Sequence, residues 1–111
     1  MQNPRNYRKL NISAIIPAYN EARNIINVLE PLKQIPTIKE IIVVSDGSTD
    51  ETVRLVKNFG RAKVIALSHN VGKTNAVVRG VAEAKYPTLM FCDADLINLN
   101  KKHISVLIQK Y

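Results

Sequence analysis

Two aspartates one residue apart, Asp93 and Asp95, close an apolar run in the stretch "LMFCDADL", residues 89 to 96. Residues i and i+2 of an extended segment point the same way, and like charges that close need a cation or a proton between them. Hard oxygen ligands suit Mg²⁺ or Mn²⁺, ions that keep positions open for the phosphate oxygens of a ligand. The competing reading has Asp95 capping the next segment and Asp93 solvated; a position at the mouth of a buried strand favours the metal. Asp46 stands in "SDGSTD", where Asp-Gly is a turn signal and Ser48 with Glu51 has capping-box spacing. A carboxylate there is also an acceptor for the N–H of a flat heterocycle such as uracil or guanine.

The stretch "SHNVGKTN" contains Gly72, Lys73 and Thr74, but a phosphate loop of the Walker type needs a glycine where this chain has Leu67. An NTPase P-loop is thereby excluded. Gly72 leading into a helix N-terminus, with Lys73 beside it, still suits a phosphate or a sugar acid. In "PAYNE" (17 to 21), the Tyr19 ring suits stacking on a base or ribose, while Asn20 or Glu21 equally suits a helix cap. His69 reads as a loop hydrogen-bonder rather than a catalyst, and His103 and Cys92 read as structural.

Four nearly unbroken apolar runs must carry these loops: "ISAII" (12 to 16), "IIVV" (41 to 44), "KVIAL" (63 to 67) and "TLMFC" (88 to 92). Runs of that kind suit strands buried on both faces. A helical pattern follows each. Residues 20 to 34 align Ile25, Val28, Leu29 and Leu32, with Pro31 expected to kink or split the helix. The second helix opens at "STDE", turns Val53, Val56 and Phe59 inward and stops at Gly60. The third, 73 to 85, presents small residues including Ala76 and Gly80, and a fourth is expected from about Asn100, with Ile104, Leu107, Ile108 and Tyr111 at helical spacing. About four βα units imply an α/β fold, a three-layer α/β/α Rossmann-like parallel sheet with right-handed crossovers. With strand order 3-2-1-4, "PAYNE" and "DAD" face each other across the crevice at the carboxyl ends, and Asp46 lies one strand away.

The 111 residues bound the chain to one domain, and 46% hydrophobic residues make it an ordered globule. A net charge of +7 favours an anionic partner, whether phosphates on a small ligand, nucleic acid or an anionic membrane surface. Residues 1 to 10 read as a basic N-terminal extension through Arg5, Arg8 and Lys9. The single cysteine argues against a structural zinc or disulfide and for a reducing compartment. No apolar run reaches the roughly 18 to 20 residues of a membrane span, and "MQNPRNYRKL" lacks the apolar middle of a secretory signal. Cytoplasm, including the cytoplasmic face of a membrane, is the expected location.

Together "IIPAYNEARNI", "EIIVVSDGSTDET", "NVGKTNAVVRG" and "LMFCDADL" resemble, in order and approximate spacing, the nucleotide-sugar-binding half of a family 2 glycosyltransferase of the GT-A fold. The resemblance runs from Ser13 to the last helix, making residues 1 to 111 a single partial domain of that family. It implies that Pro17, Ala18, Tyr19 and Glu21 line the nucleoside pocket and that Asp46 binds the base. It further implies that Gly72 and Lys73 lie beside the donor, that Asp95 is the usual metal ligand and that Asp93 lies near both ribose and metal. The implied reaction is transfer of a sugar from a UDP- or GDP-linked donor with inversion, Mg²⁺ or Mn²⁺ stabilising the departing diphosphate. Ser45 departs from the acidic pair common in the second motif. The general base of inverting members follows the D-x-D segment, and none is identifiable here, so a truncated chain is expected.

The "PAYNEARNI" and "GK" features resemble members with polyprenyl phosphate or a small phosphorylated molecule as acceptor, which the basic ends of the chain suit, with peripheral membrane contact. A half-domain would also expose a sheet edge, which makes self-association an expectation. Two alternatives remain: a nucleotide-sugar-binding module without turnover, and a nucleotidyltransferase, which would show a Gly- and Arg-rich loop in place of "PAYNE". Nucleic acid is not expected as a partner, since no aromatic or basic recognition element is present.

Overall fold

A computed structural model describes residues 10 to 94 and the strand Val106–Gln109. In chain order the elements are β1 (Ile12–Ala18), α1 (Ile25–Lys33), β2 (Ile38–Ser45), α2 (Thr52–Phe59), β3 (Lys63–Ala66), α3 (Lys73–Glu83), β4 (Thr88–Phe91) and β5 (Val106–Gln109). They build one sheet of order β3-β2-β1-β4-β5. The first four strands are mutually parallel, in the expected order, and β5 runs antiparallel to β4.

Alternation along the central strands divides the core in two. Ala14, Ile16, Ala18, Ile41 and Val43 pack with Ile25, Val28, Leu29 and Leu32 of α1 and Val56 of α2. Ile15, Ile42 and Val44 point to the opposite face, where Ala76 of α3 meets them. The layers are therefore α1 and α2, then sheet, then α3. Gly80 sets the spacing of the last layer: a Cβ there would stand 2.6 Å from Ile15 Cγ2 and 3.0 Å from Val44 Cγ2.

Three expectations change. Pro31 does not split α1, which continues through Lys33, and the helix begins only at Ile25, after a turn in which Asn24 and Ile25 donate to the Glu21 carbonyl. Ser48 does not cap α2. That helix starts at Thr52 and ends, as expected, at Gly60, whose φ of 79° is left-handed. The fourth helix is replaced over Val106–Gln109 by β5. The run Val106, Leu107, Ile108 is apolar and rich in β-branching, which favours an extended chain, and pairing it with β4 covers what would be an open sheet edge. The rest of that expected helix lies outside the described residues.

Candidate functional site

The loops after β1, β2, β3 and β4 meet at the carboxyl ends of the strands, and hydrogen bonds knit the first two together. Asn20 adopts φ 52°, a left-handed conformation that asparagine tolerates better than most residues. From there its Oδ1 accepts the N–H of Thr49 at 2.7 Å and of Asp50 at 3.2 Å. Its own N–H donates to Ser48 Oγ at 3.0 Å. The Glu21 N–H donates to Thr52 Oγ1 at 3.0 Å, and that hydroxyl donates to Asp50 Oδ1 at 2.5 Å. The other Asp50 oxygen accepts the Ala22 N–H at 3.1 Å, while Oδ1 also takes the Thr52 N–H at 2.9 Å.

The little desolvation that the exposed Asp50 carboxyl feels pushes its pKa up, but the hydrogen bonds from Thr52, Ala22 and its own backbone outweigh it and hold the pKa below its ordinary value. These residues were not read as functional from the sequence. The available signal was Asp50 two residues before Thr52, the spacing at which an Asp side chain turns back on the chain.

The third loop is fastened by Asp46, which is 4% exposed. Its Oδ1 accepts the Val71 N–H at 2.7 Å and its Oδ2 the Gly72 N–H at 3.0 Å. The Asn70 side chain donates to the Asp46 carbonyl at 3.3 Å. Gly47 permits this contact: its φ is 76°, and a Cβ there would stand 2.6 Å from the Asn70 nitrogen. Asp46 thus sets where α3 begins, and α3 begins with Lys73. The Lys73 ammonium reaches across to the fourth loop, where Nζ lies 2.5 Å from Asp93 Oδ1.

One cavity of about 300 Å³ is lined by Pro17, Ala18, Tyr19, Glu21, Asp46, Lys73 and Asp93. Seven of the residues singled out in the sequence therefore share one hollow. Gly72 adjoins it through its bond to Asp46, and Asp95 lies outside the described residues. Tyr19 is 47% exposed, an uncovered ring at this end of the sheet. A second hollow of about 340 Å³ is lined by Pro17, Lys73, Val77, Phe91, Cys92 and Asp93, so the Lys73–Asp93 pair belongs to both. His69 does not line the cleft cavity, and its Nδ1 lies 3.0 Å from Ser68 Oγ.

A family model described as Glycosyl transferase family 2 matches residues 13–111. The chain belongs to this family. Among curated relatives, a 4,4'-diaponeurosporenoate glycosyltransferase of Staphylococcus aureus is 34% identical over 96% of this chain and 29% of its own length. The fold is that of the GT-A glycosyltransferases. Staphylococcus aureus TarS in complex with UDP superposes with a TM-score of 0.71 at 29% identity, over 78% of this chain and 28% of that one. Mycobacterium tuberculosis glucosyl-3-phosphoglycerate synthase in complex with UDP gives 0.71 at 30% identity, over 82% and 36%. The chain thus spans about a third or less of the proteins it resembles.

Among the described residues, no three His, Cys, Asp or Glu side chains form a group that could hold a metal. Asp93 at the cleft, with Asp95 two residues on in the sequence, still fits a Mg²⁺ or Mn²⁺ held by one or two carboxylates and completed by phosphate oxygens.

Proposed function

We propose that this chain binds the donor in the metal-dependent, inverting transfer of a sugar from a nucleoside diphosphate sugar. The observation that carries the reading is the single cavity bringing Pro17, Ala18, Tyr19, Glu21, Asp46, Lys73 and Asp93 together at the carboxyl ends of the strands. The UDP complexes of TarS and of glucosyl-3-phosphoglycerate synthase support it. In this reading the Tyr19 ring lies against the base or ribose. Asp46 keeps acceptor capacity for a base N–H, since a carboxylate offers about four lone-pair sites and two are taken by Val71 and Gly72. Lys73 faces the diphosphate, Gly72 serves only to place it because its own N–H is taken by Asp46, and Asp93 and Asp95 hold the cation. When bound, Mg²⁺ or Mn²⁺ would supply Lewis-acid stabilisation of the leaving diphosphate. For the acceptor we propose a phosphorylated molecule, a polyprenyl phosphate or a smaller one, on the strength of the basic balance of the chain and the name of the mycobacterial relative.

Calorimetric titration with UDP, GDP and their sugars, with and without Mn²⁺, tests the reading on wild type and Asp95→Ala. The expected result is nucleotide binding that strengthens with Mn²⁺ and loses that gain in the variant. Binding indifferent to both the metal and the substitution would remove the metal assignment.

A further inference from the structure

The described residues lining the cleft cavity carry three carboxylates, Glu21, Asp46 and Asp93, against one ammonium, Lys73. In a chain of net charge +7, the described lining of the cleft is therefore acidic, facing a proposed ligand that is itself an anion. The ammonium is already engaged, with Nζ 2.5 Å from Asp93 Oδ1. We propose that Lys73 is an exchangeable internal counter-ion: it neutralises Asp93 in the empty cleft and passes to the diphosphate when a divalent cation takes its place. The inference rests on the donor-site reading above and adds to it a coupling between metal and nucleotide.

Geometry and exposure favour the exchange. Lys73 is the first residue of α3, so its long side chain swings from a fixed base set by the Asp46 bonds to Val71 and Gly72. The two side chains are 67% and 47% exposed, and pairs so exposed are weak enough to part readily. Metal alone must displace Lys73 from Asp93, and so must a nucleotide that recruits Lys73. Bound together, the two ligands break the pair once. Each therefore improves the affinity of the other, by the same factor in both directions.

The test is titration of Mn²⁺ alone, followed by electron paramagnetic resonance of the free ion, and of UDP and GDP with and without Mn²⁺ by calorimetry. The proteins are wild type, Lys73→Met, Lys73→Arg and Asp93→Asn, with the double variant of Lys73→Met and Asp93→Asn. Lys73→Gln serves as a second neutral variant if Lys73→Met loses its circular dichroism. We expect the neutral variants to bind Mn²⁺ alone roughly two- to five-fold more tightly, the range open to an exposed pair. The factor by which Mn²⁺ improves nucleotide affinity should shrink by a similar amount, and Lys73→Arg should stay near wild type. The gain in Mn²⁺ affinity should vanish in the Asp93→Asn background, which separates the specific pair from a general effect of net charge.

An unchanged Mn²⁺ affinity, an undiminished coupling factor, or a gain that persists without Asp93 would overturn the counter-ion exchange while leaving donor binding intact. Wild type that binds neither nucleotide under any condition would overturn the donor-site reading and this inference with it.

Discussion

At the scale of single residues, Asp50 shows how a side chain remote from the chemistry shapes the cleft. Its carboxylate ties Ala22 in the first loop to Thr52 at the start of α2, and these hydrogen bonds to the ionised form hold its pKa below the ordinary value. A group whose folded pKa lies below its unfolded value contributes stability that is fully present above the unfolded value, about pH 4, and is lost as pH falls through the lower folded value. Wild type should accordingly lose thermal stability on acidification below about pH 4. Asp50→Asn should be less stable than wild type at neutral pH and should show a shallower acid slope, read as Tm from pH 6 to pH 3 by circular dichroism. The side chain is exposed, so the effect is expected to be modest; parallel acid slopes in the two proteins would remove Asp50 from the acid response.

Among elements, α3 is the one whose placement decides the site, because its first residue carries the ammonium in the cleft while Gly80 sets its depth. Gly80→Ala would set a Cβ 2.6 Å from Ile15 Cγ2, a methyl on a stiff, fully buried β-branched side chain. Alanine gains about 1 kcal/mol of helix propensity, against an overpacking cost of about 1–3 kcal/mol. The net expectation is destabilisation by about 1 kcal/mol, measured as the shift in a urea midpoint at constant slope. A gain in stability would show that α3 can lift from the sheet at no cost. This contact was legible in advance, since the small residues of the third helix called for a close approach. The four parallel strands were legible for a similar reason, their apolar runs being too unbroken for a half-exposed sheet, although β3, at the edge, is not buried and leaves Lys63 and Ala66 exposed. Helix starts were harder to read: Ser48 and Glu51 have capping-box spacing, yet Asn20 holds that loop from the loop after β1, a contact across 28 residues that no local pattern carries. The run Val106, Leu107, Ile108 fits helix and strand periodicity about equally, and only an available edge on β4 decides for β5.

For the molecule as a whole, the reversal of strand order between β1 and β4 is what gathers loops far apart in sequence into one cleft. The doubly wound pattern therefore made most of the cavity lining readable: residues at four strand ends have few other places to go. The two contacts that distribute charge there, Asp46 on the backbone of Val71 and Gly72 and Lys73 on Asp93, depend on loop geometry and were not readable. The opposite end of the sheet offers an internal control. There Ser13 Oγ donates to Glu40 at 2.6 Å and the Lys85 N–H donates to the same carboxylate oxygen at 2.9 Å, a network that shares none of the described residues lining the cleft. A nucleotide bound in the cleft should slow amide hydrogen exchange in residues 17 to 22, 46 to 52 and 70 to 75 while leaving Glu40, Lys85 and Tyr86 unchanged. Ligand at about 100 times its Kd adds about 2.7 kcal/mol to global stability, so exchange must be read at amides that open locally rather than by complete unfolding. Exchange followed by mass spectrometry, with UDP and Mn²⁺ at that excess, makes the comparison. Protection confined to the three loops is expected, and protection centred on Glu40 and Lys85 would move the binding site to the other end of the sheet.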